Sequence, residues 1–213
     1  EKFSIKPSEL KPEDWVLTFN LDITNPTSVL IERIITNLNE NKEDYEIKDI
    51  LNEIENNKTS SQDTRNSALG LFEAAETWGV FSNLETEIGS LIQPGKTTIL
   101  DLSVYNSVGA FNVRALVIGL ICRKLFNKRM EARKKEELEA VRHGADYLNI
   151  GKRKTPLVWL FLDEVHEFIP DEGKTSATDA LIQLLREGRQ PGISMVMATQ
   201  QPGALHRDAI TQS

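Results

Sequence analysis

Six consecutive apolar residues, Leu157-Val158-Trp159-Leu160-Phe161-Leu162, run directly into two acids, Asp163 and Glu164. A strand that is apolar on both faces belongs in the middle of a parallel sheet. Such a strand delivers its last residues to the carboxyl edge, where α/β proteins bind ligands. An aspartate there can hold Mg²⁺, directly or through water. The adjacent glutamate points the other way and can polarise an attacking water. A strand that simply ends in two solvated acids has the same pattern. The next segment separates the two readings.

That segment holds a helix expected over Ser176–Glu187 and closed by Gly188, then Arg189-Gln190-Pro191-Gly192. A second apolar strand follows over Ile193–Thr199, running into Gln200-Gln201-Pro202. Thr199 and Gln200, at the end of a neighbouring buried strand, can sense a γ-phosphate or position water. Arg189, just past the helix end, is placed to reach a neighbouring subunit. The alternative for Arg189 is an exposed cation favoured by the helix dipole. The alternative for Gln200 is a loop amide without a role, and for His166 an ordinary helix-start histidine.

These elements need a scaffold, and the chain divides by pattern. Residues 1–90 read as a helical bundle. Val29, Leu30, Ile31, Ile34, Ile35 and Leu38 recur at helical spacing, as do Ile47, Ile50, Leu51 and Ile54. A third helix is expected from Gln62 to Trp78, with Ala68, Leu69, Phe72, Ala75 and Trp78 facing inward. Residues 91–213 read as alternating strands and helices. A strand is expected over Thr97–Ser103, after the turn Pro94-Gly95. A long helix should run from Phe111 to about Arg142, apolar first and densely charged later. Its charge run, Arg123 to Arg142 with Lys124, Lys128, Arg129, Arg133, Lys134 and Lys135, reads as a solvated face. A basic lining facing a partner is the alternative.

Composition narrows the function. The chain has 213 residues, a net charge of −7 and 39% hydrophobic residues. That is folded globular material, with no apolar run near the roughly 18 residues of a membrane span. An acidic chain does not coat nucleic acid by bulk charge, so DNA contact needs a local patch or an assembled ring with a basic lumen. The single cysteine, Cys122, lies in an apolar stretch and is expected to be buried and inert. With no internal disulfide available and no signal-peptide pattern, a reducing, cytoplasmic setting is expected.

Three strings together, Leu162-Asp163-Glu164-Val165-His166-Glu167-Phe168, Arg186-Glu187-Gly188-Arg189 and Ala198-Thr199-Gln200-Gln201-Pro202, resemble the HerA branch of the HerA/FtsK superfamily. Members are hexameric, ATP-driven DNA-pumping motors. Their pattern is an acid pair followed by a small residue, a histidine and an aromatic. A helix then ends in Glu-Gly-Arg, and a strand ends in Ser/Thr-Gln-Arg-Pro. Here Val165 stands for the usual alanine and Gln201 for the usual arginine. The resemblance is diagnostic over about residues 156–213. It implies an α/β fold: part of a RecA-like P-loop NTPase core, a parallel sheet with flanking helices, carrying a helical-bundle insertion. It also implies ATP and Mg²⁺ as cofactors, with Asp163 the magnesium carboxylate and Glu164 the catalytic base. Gln200 becomes the sensor with Thr199 beside it, and Arg189 the arginine finger acting in trans, with Arg186 the competing finger. The implied partners are further copies of the chain in a homo-hexamer and double-stranded DNA through the ring. A nuclease partner is common among such motors, though no residue here shows one.

A Gly-x-x-x-x-Gly-Lys-Ser/Thr loop does not occur in the sequence. Glu172-Gly173-Lys174-Thr175 has phenylalanine at position 168, where the first glycine would stand. Gln93-Pro94-Gly95-Lys96-Thr97 leads towards a predicted strand, whereas a phosphate loop leads into a helix. The expectation is a chain that begins after the phosphate loop, with residues 1–90 inserted before Thr97–Ser103, and that is inactive by itself. Two other functions share part of the pattern. One is a conjugation- or packaging-type ATPase. The other is a scaffold or partner-binding domain without catalysis, which would need none of Glu164, Arg189 and Gln200.

Overall fold

A computed structural model describes residues 3–84, 86–105, 112–143 and 155–212. In chain order the helices and strands are α1 (Pro12–Thr18), α2 (Pro26–Asn41), α3 (Ile47–Asn56), α4 (Gln62–Glu76), α5 (Ile88–Leu91), α6 (Val113–His143), β1 (Val158–Leu162), α7 (Thr178–Glu187), β2 (Ile193–Met197) and α8 (Arg207–Thr211). The architecture is mixed α/β, with many helices and a two-stranded parallel sheet. The chain separates into two compact units, Glu1–Thr86 with Asp101–Val117, and Glu87–Leu100 with Ile118–Ser213.

In the first unit, α1 to α4 pack as a bundle. The apolar spacing read from the sequence forms its core: Ile31, Ile35, Ile50, Ile54, Ala68, Phe72 and Ala75 are all fully buried. The helix starts are fixed by side chains that satisfy free backbone donors. Asn25 Oδ1 accepts from the Thr27 amide at 2.9 Å, and Ser61 Oγ accepts from the Thr64 amide at 3.2 Å. An aromatic cluster fills the centre, with Trp15 against Phe72 at 4.9 Å and Phe19 against Phe72 edge-on at 5.2 Å between ring centroids. The N-terminal segment is tied on by a bridge, with the Ile5 amide donating to Val80 O at 2.9 Å and Ser82 N to Ile5 O at 3.1 Å.

The strand expected over Thr97–Ser103 does not form. Residues 96–102 carry no regular element, and Ser103–Tyr105 is a turn of 3-10 helix. The local composition suits a strand, but strand preference reflects fit to a half-buried pleated surface. Here Ile99 is 86% exposed, and the segment is held by side-chain bonds instead: Thr98 Oγ1 to Leu91 O at 2.6 Å, and Ser103 N to Asp101 Oδ1 at 2.9 Å. The expected helix start at Phe111 lies outside the described residues.

In the second unit, α6 buries Leu120, Cys122, Leu125 and Phe126 and carries its charges beyond them, as expected. Burial pushes the Cys122 thiol up to about 12, so it stays protonated and unreactive. Arg129 departs from the expected solvated face. It is 1% exposed and reaches into the base of the sheet. Gly119 lets α6 approach the start of α7, where a Cβ would meet Ser176 O at 2.4 Å. Thr175 and Thr178 then both donate to Phe168 O, at 2.7 and 2.9 Å, fixing α7 to the loop that follows β1.

β1 and β2 pair in register from Val158↔Ile193 to Leu162↔Met197. Their burial differs from the expected two-sided cover. Leu162 and Ile193 are buried, but Trp159, Phe161 and Val196 lie exposed on one face, Trp159 and Phe161 with ring centroids 6.4 Å apart. Among the described residues no helix is long and apolar enough to cross a membrane.

Candidate functional site

The parallel register brings two chain segments to one edge. Leu162 pairs with Met197, so the residues that follow each strand emerge side by side. The ladder continues one step further: Ala198 N donates to Leu162 O at 2.8 Å, and Val165 N to Ala198 O at 3.0 Å. Asp163 and Glu164 therefore face Thr199 and Gln200.

Glu164 has a left-handed backbone, φ 47° and ψ 44°, which is uncommon for a residue with a side chain and costs of order 1 kcal/mol or more. The turn changes the chain's direction straight after the strand and starts the 3-10 turn Val165–Glu167. It also aims the Glu164 carboxylate at the other segment. Gln200 Nε2 donates to Oε1 at 2.5 Å, and the Gln200 amide reaches Oε2 at 3.4 Å. His166 Nδ1 is 3.4 Å from the same Oε2 and 2.9 Å from Thr199 Oγ1. Thr199 Oγ1 in turn accepts the Gln201 amide at 3.0 Å. Asp163 is exposed, with Oδ1 accepting the Glu164 amide at 3.0 Å. Four residues singled out from the sequence, Asp163, Glu164, Thr199 and Gln200, are thus assembled, with His166 bonded into the same network.

The two arginines are elsewhere. Both belong to the end of α7 and the turn after it, which lead into the start of β2, so they lie at the entering edge of the sheet, opposite the acids. Arg186 is paired with Asp208 of α8. Arg189 is exposed, and its side chain has no hydrogen bond or ion pair among the described residues. The Gly-Lys of both Gly-Lys-Thr strings is exposed. Lys174 pairs with Asp179 at 2.9 Å, and Gly95-Lys96 forms a turn with no helix after it.

The described residues contain no cluster of three or more acids, histidines or cysteines able to cage a metal. Magnesium does not need one. It keeps several waters and is held by one or two carboxylates together with substrate phosphates. Asp163 fits that requirement, since it is solvent-facing and only its Oδ1 is engaged.

Comparison with known proteins gives one distant likeness. No family model matches the chain. One relative does. The DNA double-strand break repair helicase HerA of Pyrococcus furiosus is 27% identical over 132 residues, covering 57% of this chain. The match spans 23% of the helicase's own length. The chain is therefore similar, at a distance, to part of a HerA helicase.

Arg129 is the important residue that pattern reading misplaced. It falls four residues after Leu125 and seven after Cys122, on the buried stripe of α6, and that position was the available signal.

Proposed function

We propose that this chain supplies the acid-strand half of an ATP-hydrolysing motor of HerA type, acting on double-stranded DNA as a ring of identical subunits. One observation carries the reading: the hydrogen bond from Gln200 to Glu164, which joins an acid pair at the end of one parallel strand to a Thr-Gln pair at the end of its neighbour. On this reading residues 91–213 are the later part of a RecA-like core and residues 1–90 a helical insertion. The phosphate loop, of which the sequence has no copy, would complete the site.

Asp163 would hold Mg²⁺ at the sheet edge, and the ion when bound neutralises charge on the phosphate oxygens. Glu164 is the base. Its Oε1 is taken by Gln200, whereas Oε2 carries only contacts of 3.4 Å and the side chain keeps a third of its surface open, so Oε2 is the oxygen that accepts a proton from water. Gln200 orients that carboxylate and stands where a terminal phosphate could compete for its amide. Arg186 and Arg189 reach a neighbouring subunit's nucleotide, with Arg189 the better finger because Arg186 is already paired. A nuclease partner would match the repair role of the relative.

Glu164→Gln keeps the size and the hydrogen bonding but removes the base. In the full-length protein it is expected to lower ATP hydrolysis by roughly 10²-fold or more while ATP binding survives. Equal loss of binding and turnover would make Glu164 a metal or structural residue instead.

A further inference from the structure

His166 is 16% exposed at its side chain and stands on the 3-10 turn immediately after the acid pair. A single ring nitrogen, Nδ1, faces two groups, Thr199 Oγ1 at 2.9 Å and Glu164 Oε2 at 3.4 Å. An ionised carboxylate can only accept. A bare Nδ1 would set its lone pair towards the Glu164 oxygen, which favours the tautomer with the proton on Nδ1 over one in which the Thr199 hydroxyl donates to the ring. Thr199 Oγ1, already accepting the Gln201 amide at 3.0 Å, has a second lone pair for the same donor. On that tautomer the N–H donates to Thr199 Oγ1 at 2.9 Å and forks towards the Glu164 carboxylate, an ion-pair contact at 3.4 Å.

We propose that His166 is a positioning residue for Glu164. Its Nδ1–H fixes the carboxylate against the Thr199–Gln201 segment, so that a movement of either strand end is felt by the other. Glu164 needs such support because its Oε2 has no partner closer than 3.4 Å. The inference rests on the functional reading above for the consequence of that positioning, and on geometry alone for the fork.

Two substitutions separate the ring nitrogens. Asn Nδ2 is as many bonds from Cβ as His Nδ1, and Gln Nε2 as many as His Nε2. His166→Asn keeps a donor where the fork needs it, and His166→Gln does not. In the full-length protein His166→Gln is expected to lower kcat for ATP by roughly 10- to 100-fold, the worth of one hydrogen bond to a charged group, with KM unchanged. His166→Asn should recover most of that loss at equal thermal stability. In the 213-residue chain itself, ring ¹⁵N spectra should show Nδ1 protonated. The backbone amides of Thr199 and Gln201 should shift in His166→Gln and stay in place in His166→Asn.

Wild-type kcat in His166→Gln beside an inactive Glu164→Gln overturns the positioning role and leaves the functional reading standing. An unprotonated Nδ1 overturns the fork. Wild-type hydrolysis by Glu164→Gln overturns the functional reading, and the positioning role falls with it.

Discussion

Arg189→Ala is expected to lower ATP hydrolysis by the full-length protein about 10³- to 10⁵-fold, the range for loss of an arginine finger, while nucleotide binding and the subunit fold persist. The expectation comes from where the residue lies and what it lacks. Arg189 follows Gly188, where α7 ends, and precedes β2, so the five residues of that strand separate it from Thr199 and Glu164. At about 3.3 Å per residue that is roughly 16 Å, more than an arginine side chain can reach. It cannot serve the acid edge of its own subunit. Its guanidinium is exposed and unengaged among the described residues, whereas Arg186, one turn earlier, is held by Asp208. In a ring, the neighbour's nucleotide is the fitting partner. Mixing Arg189→Ala with Glu164→Gln subunits measures this directly, because an Arg189→Ala site beside a Glu164→Gln neighbour has both groups intact. Mixed rings should regain activity. If mixing restores nothing, while wild-type subunits diluted with either variant stay active in proportion, the finger acts in cis or is Arg186.

Arg129→Met is expected to destabilise the second unit by about 3 kcal/mol or more. Arg129 Nε donates to Pro191 O at 2.7 Å and Nη1 to Thr155 O at 2.8 Å, with Glu136 Oε1 at 3.4 Å from the same nitrogen. Thr155 precedes β1 and Pro191 precedes β2, so one guanidinium holds the entry of both strands. Methionine fills a similar volume but donates nothing, leaving two carbonyls unsatisfied at about 1–3 kcal/mol each. Denaturant unfolding of the chain measures the loss. Arg129→Lys should recover only part of it, since a single ammonium does not reproduce the planar fork. A loss below about 1 kcal/mol would show that water takes over both carbonyls.

The legibility of the sequence followed the range of the forces involved. The helices of the bundle were readable because a helix repeats its buried positions within a few residues, as Ile31, Ile35, Ile50 and Ile54 show. The pair of parallel strands and the residues they deliver were readable for a similar reason: an apolar run followed at once by Asp163-Glu164, and another by Thr199-Gln200, places chemistry at strand ends without knowledge of the rest. What failed depended on partners distant in sequence. Thr97–Ser103 has strand composition, but among the described residues no strand pairs with it to complete a ladder. Arg129 sits in a run of charges, and the carbonyls of residues 155 and 191 draw it inward. His166 had an ordinary explanation until the register of β1 against β2 put Thr199 opposite its ring.

The uncovered face of the sheet gives the chain an optical asymmetry. Of the three tryptophans, Trp15 and Trp78 are sealed in the aromatic cluster at 0% and 4% exposure, while Trp159 stands open at 66%. A collisional quencher added to the folded chain thus reaches one indole and spares two. The quenchable, red-shifted part of the emission belongs to β1 and the protected, blue part to the helical bundle. Unfolding of either unit, or any chain that comes to lie over Trp159 and Phe161, would therefore write its own signature in the light of a protein carrying no added label.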